Sequence, residues 1–141
     1  MSMTISKSER RTGVLLNYLG LAGVVGFFYA GHLTSWNYIM IVFLGLSAVI
    51  LLVSFFRYFL FTGLWRFVHT ESANLDERQI MVTRESLRLS YSVFTIVSLV
   101  VFLWISFYHT GDANLIVIFA GLLYLAHILP ATIVAWKEKE V

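Results

Sequence analysis

The sequence predicts an all-α integral membrane protein, with four transmembrane helices arranged as two helical hairpins. Three observations predict it. First, 59% of the 141 residues are apolar and only 13% are charged, against about 25% charged in an ordinary soluble domain. Second, four apolar runs are each long enough to cross about 30 Å of hydrocarbon at ~1.5 Å per residue. Third, every Lys and Arg lies before the first run, between the second and third, or after the fourth. The positive-inside rule then places both termini and the central loop in the cytoplasm. An aromatic content of 16% excludes a disordered chain. The absence of cysteine excludes disulfides, thiolate zinc sites and iron–sulfur clusters. The net charge of +2 reflects this topology and implies no nucleic-acid partner.

The first span covers about residues 14–30. It ends in Phe27-Phe28-Tyr29 rather than a small-residue cleavage site, so it is expected to stay as a helix. Ala22, Gly26 and Ala30 form a small-xxx-small stripe that lets helix backbones approach, by default within the bundle and otherwise in a homo-oligomer. The second span covers about 38–57. A helix from Tyr38 climbs about 29 Å by Arg57, which should snorkel to the headgroups. The aromatic stretch beyond it, through Trp65 and Phe67, is expected at the membrane interface, with a bend at Gly63. Residues 65–88 make the cytoplasmic loop and helix. Asn74 and Glu77 have capping-box spacing, and no Gly or Pro interrupts the chain from there to Tyr108. One long helix is expected, entering the third span at about 89–108 and packing through Ile80, Leu87, Tyr91 and Phe94. Ser86 and Ser90 form a weaker small-residue stripe. The fourth span covers about 115–136 and contains Pro130, which can kink it. A faint similarity between Val42–Leu46 and Ile118–Leu122 is compatible with a parallel repeat.

No Asp or Glu lies inside a span, unlike the titrating carboxylate of many ion-coupled exporters. The polar candidates are Asn17 in the first helix, Thr95 and Ser98 in the third and His127 in the fourth. Depth arithmetic places His127 and Ser98 in one layer, so His127 is expected to face the bundle interior, either as part of a solute or proton site or as a hydrogen-bonded packing histidine. His32, His109 and Asp112 fall at the turns without a metal-ligand motif, and no metal or other cofactor is expected. No H-E-x-x-H, G-x-S-x-G or phosphate-binding glycine loop occurs, so the chain is read as non-enzymatic. An interfacial enzyme would require His69, Glu77 and Arg84 to converge.

The densest charge cluster is Asp76-Glu77-Arg78-Gln79 with Arg84, Glu85 and Arg88. Glu85 and Arg88 have the spacing of a helical ion pair. Arg84 and Arg88 repel unless an anion lies between them. Leu75-Asp76-Glu77-Arg78-Gln79 and the helix leading into the span resemble an element of small prokaryotic membrane proteins with paired helical hairpins and a D-E-R-[QE] motif. The resemblance covers about residues 74–108, and its specific part is four residues. It implies a fold and an inner-membrane setting, and it carries over no catalytic residues, because no activity is established for that group. Together these features lead to the expectation of an interaction or regulatory subunit. Asp76, Glu77, Arg78, Arg84 and Arg88 would contact a partner protein or anionic lipid. The alternative is a small oligomeric transporter or channel using the layer around His127.

Overall fold

The computed structural model describes residues 6–70, 76–107 and 112–137. Among the described residues all regular structure is helical. Helix α1 spans Lys7–Thr34, α2 Tyr38–Phe55, α3 Leu64–His69, α4 Glu77–Phe107 and α5 Asp112–Lys137, with a π-helical turn over Phe56–Leu60. Four of these segments are long and apolar enough to cross a membrane, as a multi-pass membrane protein requires.

Helix α1 starts well before its apolar run because Ser6 caps it. The Ser6 hydroxyl accepts the Glu9 N–H at 3.3 Å, and the Glu9 carboxylate accepts the Ser6 N–H at 3.0 Å. The helix ends at Ser35, and Asn37 caps α2 by accepting the Met40 N–H at 2.9 Å.

Helix α1 packs along α2 and also touches α5, whose main further neighbour is α4. Arg11, at the start of α1, meets Trp136 at the end of α5, and Glu85, early in α4, meets Lys137. This is the charged end of the bundle. Far from it, Tyr29 of α1 contacts Trp104 of α4, their rings 5.1 Å apart. That is the turn end.

The buried core lies towards the charged end. It joins Val14, Phe59, Leu64, Val68, Ile128, Ala131, Val134 and Ala135. Two features build it, one that departs from the sequence expectation and one at the expected bend. Helix α2 does not continue as an α-helix through Arg57. Its buried face carries Ser47 and Ser54, and an α-helix would repeat that face near residues 58 and 61. In the π turn Phe61 N–H bonds the Phe56 carbonyl at 3.0 Å, and the wider turn advances the register. Phe59 is therefore wholly buried while Phe61 is 67% exposed. In addition, Gly63 takes a left-handed φ of 79° and turns the chain into α3. Helix α3 then packs on α5 and buries Leu64 and Val68.

The close approach of α1 to α2 also uses residues other than the expected stripe. A Cβ at Gly20 would lie 2.7 Å from the Leu51 backbone nitrogen, and one at Gly13 would collide with the Tyr58 ring. Gly26 faces open space and Ala22 is exposed. On α4 the expected stripe is partly reversed. Leu87 and Tyr91 point outward, whereas Ser86 and Ser90 are buried. Both serines return their hydroxyls to their own helix, to the carbonyls of Thr83 and Ser86. They thus present small, satisfied surfaces for packing.

Candidate functional site

The charged end carries the polar chemistry. Helix α4 begins at Glu77 because Asp76 caps it. Asp76 Oδ1 accepts the Gln79 N–H at 2.7 Å, and the Gln79 side chain accepts the Asp76 N–H at 3.1 Å. The capping box among the described residues is Asp76/Gln79; the expected cap, Asn74, lies outside them. Asp76, immediately before the helix, satisfies one of the orphan donors of the first turn. Asp76, Glu77, Arg78, Arg84 and Arg88 are all exposed. Their neighbour Glu85 reaches across to α5, where Lys137 Nζ donates to its Oε1 at 2.7 Å. The Lys137 hydrogen bond holds the Glu85 carboxyl below its ordinary pKa, and the Lys137 charge adds to this. Arg88 acts on Glu85 only as a more distant charge. The expected Glu85–Arg88 pair thus gives way to a link between helices.

Two aromatic contacts also involve polar side chains, one of them next to Lys137. The Arg11 guanidinium lies 4.7 Å from the centre of the Trp136 ring and donates to the Trp136 carbonyl at 3.3 Å. His69 stacks on Trp65 at 4.1 Å, its Nδ1 2.8 Å from the Trp65 carbonyl. Glu9, at the start of α1, is lowered from its ordinary pKa chiefly by the Ser6 N–H, with the Ser6 hydroxyl second.

The four intramembrane candidates differ in burial and in partners. Asn17 is 1% exposed and makes the main polar knot of the bundle. Its Nδ2 donates to Ser54 Oγ at 3.1 Å and to the Leu51 carbonyl at 3.3 Å, while Tyr124 OH donates to its Oδ1 at 3.0 Å. Asn17 thereby joins α1, α2 and α5. One helical position away, Tyr18 OH donates to Thr132 Oγ1 at 3.1 Å. Sequence reasoning selected Asn17 but missed Ser54 and Tyr124. The available signal was a Tyr and a Ser within helical reach of the same depth. Thr95 is exposed and bonds the Tyr91 carbonyl. The Ser98 hydroxyl oxygen is buried and has no hydrogen-bond partner among the described residues.

His127 is exposed, contrary to the expected inward orientation. Its Nδ1 lies 2.8 Å from the Leu123 carbonyl of its own helix, which makes Nδ1 the donor. The position of His127 along α5 explains this. Ala131 and Val134, one and two turns further on the same side of α5, are buried in the core near the charged end, whereas Leu123, one turn earlier on that side, is 63% exposed, so His127 sits just beyond the edge of that core. His32 rests against Phe28 and Trp36, while His109 and the Asp112 side chain lie outside the described residues. Among the described residues no three His, Cys, Asp or Glu side chains gather in a way that would hold a metal ion.

The class defined by this architecture is a small all-helical protein with four apolar helices that fit a multi-pass membrane protein. No family model, curated protein or solved structure matches the chain.

Proposed function

We propose that the chain is a non-enzymatic interaction or regulatory subunit of the cell membrane. In this reading the helices form two hairpins, and both termini and the central loop face the cytoplasm. The start of α4, with the residues leading into it, contacts a partner protein or anionic lipid. One observation carries the proposal. Asp76, Glu77, Arg78, Arg84 and Arg88 are all solvent-exposed on a capped helix end, while the charges beside them are used to tie α4 to α5. Such a rigid, charged helix end is pre-organised for recognition, because it loses little further freedom on binding. Replacing Asp76, Glu77, Arg78 and Arg84 together by Ala is expected to abolish co-purification of the partner while leaving the helical content unchanged. Unaltered co-purification and an unaltered cellular phenotype would reject the proposal.

A second reading rests on the exposure of His127 within an apolar span. A polar ring facing lipid is costly, and a second copy of the chain would cover it. Transport would then require an oligomer, and flux in liposomes should fall in His127→Ala. Absence of flux in the wild type across a broad solute panel would count against this reading.

A further inference from the structure

On the α1–α2 side of the bundle, away from α4, an open cleft of about 250 Å³ runs towards the charged end. Its walls are Leu16 of α1, Val49, Ile50 and Val53 of α2, and Arg57 and Tyr58 of the π turn. Between Val49 and Arg57 the helix rises about 12 Å, so the cleft is aliphatic along its length and cationic at one end. The hydroxyl of Ser54, which also borders it, is already committed to the Leu51 carbonyl and to Asn17. The cleft therefore offers an apolar channel with its polar function concentrated at Arg57.

The π turn makes this arrangement. By advancing the register it buries Phe59 and leaves Arg57 exposed beside Tyr58, the guanidinium carbon 5.6 Å from the centre of the Tyr58 ring. Tyr58 in turn is held against Gly13. Isolated π turns occur often at functional sites because they redirect side chains in this way. Among the described residues no carboxylate pairs with Arg57 at salt-bridge distance. Glu9 acts on it only as a charge, and the Glu9 carboxylate is engaged by Ser6.

We propose that this cleft is a binding site for one anionic phospholipid, with an acyl chain along Leu16, Val49 and Val53 and the headgroup phosphate on Arg57. The chemistry favours this occupant. Leu16, Val49 and Val53 are 37%, 56% and 57% exposed and, in a multi-pass protein, meet acyl chains. A guanidinium can donate two parallel hydrogen bonds to one phosphate, and the headgroup level is where an arginine ending a span places its charge. The site rests on the membrane reading but not on the proposed role of α4, so the two can fail separately.

The test is native mass spectrometry of the detergent-solubilised chain with equal amounts of phosphatidylglycerol and phosphatidylcholine added. The wild type is expected to retain one phosphatidylglycerol per chain in preference to phosphatidylcholine. Arg57→Gln should lower that retention about tenfold, and Arg57→Lys should lower it less. Val53→Trp and Leu16→Trp should fill the cleft and lower retention of both lipids with the charge intact. Arg84→Gln, on the α4 side, should leave retention unchanged. Equal retention of the two lipids by the wild type would overturn the proposal. So would wild-type retention in both Arg57→Gln and Val53→Trp, or a lipid-free dimer that Val53→Trp dissociates.

Discussion

The two ends of the bundle are built differently. At the charged end α3 and the π turn add side chains between the long helices, and Phe59, Leu64, Ile128 and Val134 are almost wholly enclosed. At the turn end Leu33, Tyr38 and Phe107 are 66%, 80% and 79% exposed. The contrast recurs between helices: 39% of the apolar stretch of α5 is buried, against 11% of that of α4. Lipid hydrocarbon is as apolar as leucine, so apolar character by itself does not drive helices together in a membrane. Close packing and satisfied polar groups do, and both are concentrated towards the charged end, where the small residues Gly13, Gly20, Ala131 and Ala135 and the knot at Asn17 lie.

The largest expected difference between the ends is in side-chain truncation. Phe59→Ala should lower stability by about 3–5 kcal/mol, because it opens a cavity in the enclosed core. Phe107→Ala should cost under about 0.5 kcal/mol, as an exposed position does. Unfolding in mixed micelles measures both, and equal losses would erase the contrast. Next comes a pair of glycines on one helix. Gly20→Ala would drive a methyl group against the Leu51 backbone, which cannot rotate away, at a cost of about 1–3 kcal/mol. Gly26→Ala meets nothing and should be neutral or slightly stabilising, since alanine is the better helix former. The same assay compares them.

A smaller effect is expected from the polar knot. Asn17→Leu leaves the Tyr124 and Ser54 hydroxyls to find other partners, and hydrogen bonds between membrane helices contribute about 0.6 kcal/mol on average and about 1.7 at most. A loss in that range should be accompanied by weaker protection of the α1, α2 and α5 amides near the knot in hydrogen exchange. The smallest effect concerns the exposed Glu85–Lys137 link. Folding lowers the Glu85 pKa, so its contribution is fully present above the ordinary carboxylate range and is lost as pH falls through the lowered value. Wild type should therefore exceed Glu85→Gln in stability slightly at neutral pH and match it in strong acid. A difference that grew on acidification would reverse the sign of the linkage.

The four spans were legible because each is a long uninterrupted apolar run, and each lies within a helix as far as the structure describes it. The charge cluster near Asp76 was legible as an exposed helix start, although the cap sits two residues later than Asn74. The rotation of the helices was not legible. Helix α5 is apolar nearly all round, so no polar face marks which side is out, and depth alone placed His127 in a layer without placing it inward. On α4 the sequence offered two stripes, Leu87 with Tyr91 and the small Ser86 with Ser90, and the serines occupy the buried face because small residues let backbones come closer. The π turn had no local signal: Phe-Arg-Tyr-Phe-Leu suits an α-helix, and its distinctive contact is Tyr58 against the distant Gly13.

The amino-acid sequence by itself determined that four long apolar helices form and roughly where they lie, because a backbone in hydrocarbon must satisfy its own hydrogen bonds and helices do so within a single segment. Tertiary structure alone decided which face of each helix is buried, where α2 widens into a π turn, and how Asn17 finds Ser54 and Tyr124. Those choices depend on close contacts between residues far apart in the chain, and an apolar sequence presents nearly the same surface on every side until a neighbour selects one.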